Sequence, residues 1–405
     1  MNRRRLAGWG VLALLAGGLA WLMVRPMTFF VVSDRFAETV DTRSAPAVLG
    51  DLGAQTCGAC HRAFYREWRT AMHSRAWTDP YFQVDWAFED RPWICRNCHT
   101  PLDRQQPRRL LGFRDRQGLE PVLAPGPNPD FDPALQHEGV TCAACHLRQG
   151  AVLGPYGDTA APHPVRRMAH PNQVCVRCHV VDGERWDTFL RLPPCGTVTE
   201  IRAGREGGLR GRSGETVLPS PAGLGCVECH MPLAERPLVE GGPVRRTRRH
   251  LWRGGHDPAM VKRALTARLV VDRGGRAAVL TLTNTGTAHY LPTGTPDRHL
   301  TVVLRALDGR GRVLDEARHT LIRRILWRPV IVDLRDTRLA PGRPRTYRLA
   351  LPPAAVAAEA VVRYHLLEES RRRRIGYEPE SPIAYEIYRA RVDLPAAGGK
   401  AGTAP

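Results

Sequence analysis

The 405-residue sequence predicts an α + β multidomain protein: an N-terminal transmembrane helix, a loop-rich, mainly helical domain, and a C-terminal β-sandwich. Three observations predict it. An uncharged apolar run follows the first few residues. One pentapeptide, Cys-x-x-Cys-His, is written five times. Past residue 262 the texture changes to short runs rich in β-branched residues. The expected boundaries are 1–24 for a cytoplasmic n-region and anchor, 25–54 for a polar linker, 55–262 for the domain that carries the pentapeptides, 263–368 for the sandwich, and 369–405 for a basic segment and disordered tail.

The anchor rests on Leu6 to Val24, which carries no charge. At helical rise such a run spans roughly 28 Å, close to one bilayer core. Arg3, Arg4 and Arg5 precede it, so its start is expected to stay cytoplasmic and the bulk of the chain to lie in the periplasm. No small-residue cleavage site follows, which favours an uncleaved single-pass helix in the cytoplasmic membrane. Cysteines in that compartment work in an oxidising space.

The second domain is defined by its motifs: Cys57, Cys60, His61; Cys95, Cys98, His99; Cys142, Cys145, His146; Cys175, Cys178, His179; and Cys226, Cys229, His230. They use ten of the 11 cysteines and leave Cys195 over, which reads as a buried thiol. On a helical turn, positions i and i+3 share a face and i+4 lies beside them. Two thiols so placed add to the two vinyl groups of one haem, and the next imidazole lies under the iron. The motif is that of c-type haem attachment. Chance is excluded: with 15 histidines in 405 residues, five in five has a probability on the order of 10⁻⁷. Structural zinc wants four ligands from two nearby pairs, whereas successive motifs here start 38, 47, 33 and 51 residues apart and a fifth is unmatched. Disulfides give no reason for the histidine. Five covalently attached haem c groups are therefore expected, with His61, His99, His146, His179 and His230 as proximal ligands.

The formal net charge is +19, from 57 arginines and two lysines against 40 acidic residues. A nucleic-acid binder is one reading of such a charge. A codon-biased genome explains the arginine skew, and haem propionates would lower the charge, so no nucleic-acid partner is expected. The basic runs 244–250 and 371–374 read as solvated or propionate-pairing faces, or as docking sites for an acidic redox partner or anionic lipid.

The stretch QTCGACHRAFYREWRTAMHSRAW, with EGVTCAACH, CVECHMP, RRHLWRGGH and NTGTAHYLPTGTPDRH, resembles the multihaem cytochromes related to hydroxylamine oxidoreductase, pentahaem nitrite reductase and the tetrahaem cytochromes of nitrifying bacteria. The resemblance touches most of residues 55–300. It implies a mostly helical haem domain, closely stacked haems and largely bis-histidine ligation. The nitrite reductases carry a lysine in place of one proximal histidine; all five motifs here end in histidine.

Second ligands come from the remaining histidines. His73 follows a run without Pro or Gly, with Phe64, Trp68, Ala71 and Met72 at helical spacing. A continuous helix would put it roughly 18 Å from His61, so it should reach the haem of another motif. The resemblance favours His163, His250, His256 and His289 as further distal ligands. His170 and His137, each five residues before a first cysteine, are weaker candidates. His299, His319 and His365 fall in strand-like runs and read as structural.

About seven short strands, separated by turns such as DRGGR and DGRGR, suggest an immunoglobulin-like sandwich for the C-terminal domain. Together these features imply a membrane-anchored periplasmic pentahaem cytochrome that carries electrons between periplasmic or membrane redox proteins. The alternative is a multihaem oxidoreductase acting on a small nitrogen or sulfur compound at one open haem. No catalytic residue is singled out by the sequence.

Overall fold

The computed structural model describes residues 8–20, 38–114, 120–157, 160–179, 196–198, 200–201, 225–272, 274, 276–326 and 332–394. Cys195, the glycine-rich stretch 203–223 and the tail past residue 394 lie outside them. The chain divides into two compact units. The N-terminal unit comprises residues 1–196, 225–252 and 325–334, and the C-terminal unit residues 197–224, 253–324 and 335–405.

The expected membrane anchor is corrected. Residues 8–20 are helical and exposed. Among the described residues no helix is long and apolar enough to cross a membrane. The single-pass placement in the cytoplasmic membrane, with the bulk of the chain in the periplasm, loses its support with it.

The expectation of a mainly helical haem domain is corrected too. The protein is mixed α/β, with many small sheets and short helices. The pentapeptides sit on helices Ala54–Cys60, Arg96–His99, Cys142–His146, Pro171–His179 and Cys226–His230. None exceeds nine residues. Small sheets lie between and after them: β1 (Leu110–Phe113) with β2 (Pro121–Leu123); β3 (Leu147–Arg148), β4 (Ala151–Gly154) and β5 (Val165–Arg167); and, past the fifth, the hairpin of β6 (Leu233–Pro237) and β7 (Val244–Arg248). The reason is punctuation. Pro101 and Pro232 stand two residues past the second and fifth motifs, where they stop a helix from continuing. Starts are written as Asp-Pro. Asp79 and Asp132 cap helices Pro80–Phe88 and Pro133–His137 through their carboxylates, with proline in the first turn.

The described apolar core of this unit is small: Val40, Leu52, Leu102, Leu135, Ala143, Ala144 and Leu147. Two of these come from residues 25–54, expected as linker; Val40 pairs with the chain around Leu102, donating to the Pro101 carbonyl at 2.7 Å. Buried amides do much of the remaining joining. Gln105 donates to the carbonyls of Leu135 (2.8 Å) and Gly139 (2.7 Å), and Gln136 donates to the Gln105 carbonyl at 2.8 Å. Satisfied amide networks of this kind fix one arrangement of loops without needing apolar bulk.

The C-terminal unit is built from antiparallel strands. β8 (Leu265–Val271), β9 (Ala277–Asn284) and β14 (Arg345–Ala350) form one sheet in the order β14-β9-β8. β10 (His299–Leu307), β11 (Val313–Leu321), β15 (Ala357–His365) and β16 (Ala384–Asp393) form the other, in the order β11-β10-β15-β16. Both feed one core that includes Leu280, Leu282, Leu300, Leu304, Leu349, Val362 and Tyr364. Strict alternation makes that core: β9 buries Ala278, Leu280 and Leu282 on one face. β12 (Arg323–Leu326) and β13 (Val332–Asp336) make a separate two-stranded sheet. The sheet continues to residue 393, into the segment expected to be basic and partly disordered. The 371–374 arginines lie on helix Glu369–Ile375, where Arg372 pairs with Glu369 and Glu378 at 2.9 Å each.

Candidate functional site

Each pentapeptide brings two thiols and an imidazole to one end of a short helix. None of the ten cysteines is in a disulfide. Thiols of different motifs meet: Cys57 hydrogen-bonds Cys142, Cys98 bonds Cys178, and Cys175 bonds Cys226. Cys145 lies near Cys178, and burial with that neighbour pushes its thiol up to about 11. The fourth motif thus borders the second, third and fifth, and the third borders the first.

Three of the motif imidazoles are held by their far nitrogens. His61 Nδ1 lies 2.9 Å from the Leu238 carbonyl, His146 Nδ1 2.5 Å from that of Leu153, and His99 Nδ1 against that of Ala76. A carbonyl only accepts, so the proton is on Nδ1 and Nε2 keeps a free lone pair. This is the tautomer that a metal-ligating imidazole needs, fixed by an outer partner.

Three imidazoles from outside the motifs face three from inside. The ring centroids of His61 and His163 are 6.5 Å apart with planes at 48°; those of His73 and His179, 6.2 Å and 81°; those of His146 and His250, 5.9 Å and 25°. Two imidazoles on opposite sides of one metal ion, each bonded at about 2 Å, put their ring centres about 6 Å apart. The donor set and spacing therefore fit haem iron. Among the described residues no group of three or more His, Cys, Asp and Glu side chains is placed to hold a metal ion, so the arrangement present is one of pairs.

Burial keeps His73, His99, His146 and His250 neutral at pH 7. Burial, then the neighbouring His179, His230 and His250, depress His73 to about 3. Burial lowers His99 to about 4 against the Ala76 carbonyl, and lowers His146. Burial and His146 bring His250 to about 4. A neutral ring is what coordination requires.

His73 reaches His179 by a route that departs from the expected continuous helix. Helix Arg62–Trp68 ends, and a separate turn, Met72–Arg75, carries His73. The second strand of contact is Gly139 and Val140. Val140 N–H donates to the His73 carbonyl at 3.0 Å, and Trp68 Nε1 donates to the Val140 carbonyl at 2.8 Å. Gly139 has φ of 65°, and a Cβ there would stand 2.9 Å from the His73 carbonyl oxygen, so only glycine suits this approach.

His250 is clamped from several sides. Its N–H donates to buried Glu67 at 2.8 Å, its Nδ1 faces the Arg248 carbonyl at 2.9 Å, and Phe64 meets its ring edge-on at 5.1 Å. Glu67 in turn takes both arms of Arg236, at 2.7 and 2.8 Å, and Arg249 at 3.3 Å. Much of the basic run 244–250 is thus spent within the chain. The sequence reading passed over Glu67, Arg236 and Trp252. A lone acid between Phe64 and Trp68 on an aromatic helix face was the one available signal.

His137 and His170 are exposed. His256 and His289 belong to the C-terminal unit. His256 is exposed there. The His289 carbonyl is fixed by Asn284 (2.8 Å) and Thr287 (2.6 Å), and the next N–H, of Tyr290, donates to buried Glu200 at 3.1 Å. His299 and His365 stack at 4.2 Å, and His319 lies on Tyr347 at 4.7 Å. His99 packs face-on against Phe82 at 3.6 Å and 9°. Beside it Arg96 is caged by Trp77, Trp86 and Trp93 at 4.8, 4.9 and 5.1 Å.

No family model and no curated protein matches the chain. Among solved structures it is similar to a penta-haem cytochrome c552 from Thermochromatium tepidum, at 21% identity and a TM-score of 0.59, over 84% of this chain and 98% of that one. An ApaA protein from Bordetella pertussis aligns at 18% identity over 33% of this chain and 92% of its own, with a TM-score of 0.17, too slight to speak for a common fold. Neither hydroxylamine oxidoreductase nor the nitrite reductase and tetrahaem groups is singled out. Over most of its length the chain shares the fold of a multihaem c-type cytochrome.

Proposed function

We propose that this chain is an electron-carrying c-type cytochrome with five covalently attached haems, one at each pentapeptide. The observation that carries the reading is the set of three facing imidazole pairs, His61 with His163, His146 with His250 and His179 with His73, at 5.9 to 6.5 Å. Cys57, Cys60, Cys95, Cys98, Cys142, Cys145, Cys175, Cys178, Cys226 and Cys229 would hold the porphyrins, and His99 and His230 would be the remaining proximal ligands. Bound haem iron supplies a one-electron couple whose potential the protein sets. The residues here do the setting. Carbonyls fix the Nδ1 protons of His61, His99 and His146, burial keeps His73, His99, His146 and His250 neutral, and the packing of one motif's cysteines against the next sets neighbouring sites side by side. A penta-haem cytochrome of like fold supports the count of five. The partners would be other redox proteins.

The test is expression in a host competent for cytochrome maturation, followed by mass and optical spectroscopy. The expected result is a gain of five haem masses and a low-spin spectrum. A polypeptide of bare amino-acid mass without Soret absorbance overturns the proposal.

One observation favours a second reading, an oxidoreductase acting on a small nitrogen or sulfur compound. Within the N-terminal unit, among the described residues, no imidazole makes ring contact with His99; its ring neighbour is Phe82. A site with one imidazole leaves room for a substrate. A high-spin component that binds nitrite, nitric oxide or hydroxylamine, and is lost in Cys95→Ser/Cys98→Ser, would favour it. Five low-spin centres exclude it.

A further inference from the structure

Trp252 is the last residue of its stretch in the N-terminal unit, two positions after His250. Its φ is 42°, in the left-handed region that a bulky side chain rarely adopts. Backbone of this kind persists only where the surroundings over-determine it, and it marks positions under functional constraint. The indole shows what the surroundings are. It meets the His73 ring at 4.8 Å and 89°, and the His250 ring at 5.0 Å and 83°. These two imidazoles belong to different pairs, one facing His179 and the other His146. Edge-to-face contacts are orientation-specific.

We propose that Trp252 is a positioning residue shared by the third-motif and fourth-motif sites, setting the planes of both distal imidazoles through one side chain. The inference rests on the axial reading given above. An imidazole that ligates through Nε2 keeps one soft rotation, about the line from that nitrogen to the metal. An indole placed edge-to-face resists it. The two imidazoles depend on Trp252 unequally. His250 is also held by the Glu67 carboxylate at its N–H, the Arg248 carbonyl at Nδ1 and the Phe64 ring. The ring contacts of His73 among the described residues are His179 and Trp252 alone. Loss of the indole should therefore free His73 most.

Paramagnetic resonance of the oxidised, full-length holoprotein separates the two sites. Near-perpendicular axial planes, as in the 81° pair, give a highly anisotropic low-spin signal; near-parallel planes, as in the 25° pair, give a rhombic one. In Trp252→Gly the anisotropic signal is expected to be lost or moved toward the rhombic type, with a smaller shift of the rhombic signal. The haem count by mass and the other centres stay unchanged. The urea midpoint is expected to fall, because relief of the strained φ offsets only part of the lost indole packing, so the resonance signals and the haem count carry the test. Trp252→Phe, which keeps a ring and most of the packing, should show part of the same change. An anisotropic signal unchanged in either variant, with five haems still attached, overturns the proposal. So does an equal shift in every centre, which would mean general loosening. A wild-type protein without covalent haem is seen first by mass, and sinks the axial reading as well as the role of Trp252.

Discussion

Glu67 accepts the backbone N–H of His250 at 2.8 Å, and so ties helix Arg62–Trp68 to the segment that faces His146. The side chain is only 10% exposed, and Arg236 beside it 16%. Replacing Glu67 by alanine leaves Arg236 buried without its fork and frees the His250 backbone. The expected loss is about 3 kcal/mol, read as a lower urea midpoint. The centre that holds His250 should also change its resonance signal, while the His61 and His179 centres keep theirs.

The same carboxylate makes a pH prediction. Burial alone would push Glu67 up, but the Arg236 fork, the His250 N–H and the charges of Arg236 and Arg249 outweigh it and hold the group below its ordinary range. A carboxyl depressed in the folded state contributes stability at pH above its unfolded value of about 4.3, and that contribution fades as pH falls through the lower folded value. The stability difference between wild type and Glu67→Gln should be flat from neutral pH down to about 5 and shrink below about 4. A difference that grows in acid contradicts the assignment.

Distal ligands are distinguished one by one. His73→Ala, His163→Ala and His250→Ala should each turn one of the low-spin centres high-spin, read by optical and resonance spectra. His137→Ala and His170→Ala, at exposed positions, should leave both spectra as they are. A spectral change in the second group, or none in the first, would break the pairing drawn from the ring distances.

What could be read in the sequence follows the range of the interactions involved. The attachment motifs are local, so their chemistry is legible in five residues. Strands were legible where alternation is strict, as in β9. β16 was missed because the β15–β16 register shifts at Val362/Arg363, and Ile387 is buried beside the half-buried Tyr388 instead of alternating with it. Helix length was misread for a different reason. The apolar spacing of Phe64, Trp68, Ala71 and Met72 is real, but Thr70 Oγ1 bonds the Glu67 carbonyl at 2.8 Å and the chain turns before His73. Which histidine faces which was not legible. His61 and His163, or His146 and His250, are brought together by contacts between distant segments, and nothing in either local sequence encodes the other. Trp252 carried no signal, since its strain exists only in three dimensions.

In the C-terminal unit, Leu304 is fully buried and Val313 is 51% exposed. Leu304→Ala should cost about 2–5 kcal/mol, whereas Val313→Ala should stay within about 0.5 kcal/mol. Thermal or urea unfolding of the two variants checks this, and comparable losses would mean that β10 does not face the core described.

Arg338 makes the sharpest test of that unit. Its guanidinium meets Glu200 at 2.6 Å and Asp336 at 2.7 Å, and Arg338 and Glu200 are 3% and 1% exposed. Burial alone would lower its pKa; the two carboxylates more than offset this and hold it fully charged. Glu200 also receives the Tyr290 N–H, and Arg338 donates to the Pro292 carbonyl at 3.2 Å. Arg338→Met leaves two carboxylates without their cation, one of them fully buried, and should cost about 3–5 kcal/mol. Removing the Glu200 charge as well, in Glu200→Gln/Arg338→Met, should recover part of that loss, because the penalty comes from the stranded charge. Chemical denaturation of both variants decides it. A double variant no more stable than Arg338→Met alone would show that the guanidinium contributes through packing and its carbonyl contact, with little from the ion pair.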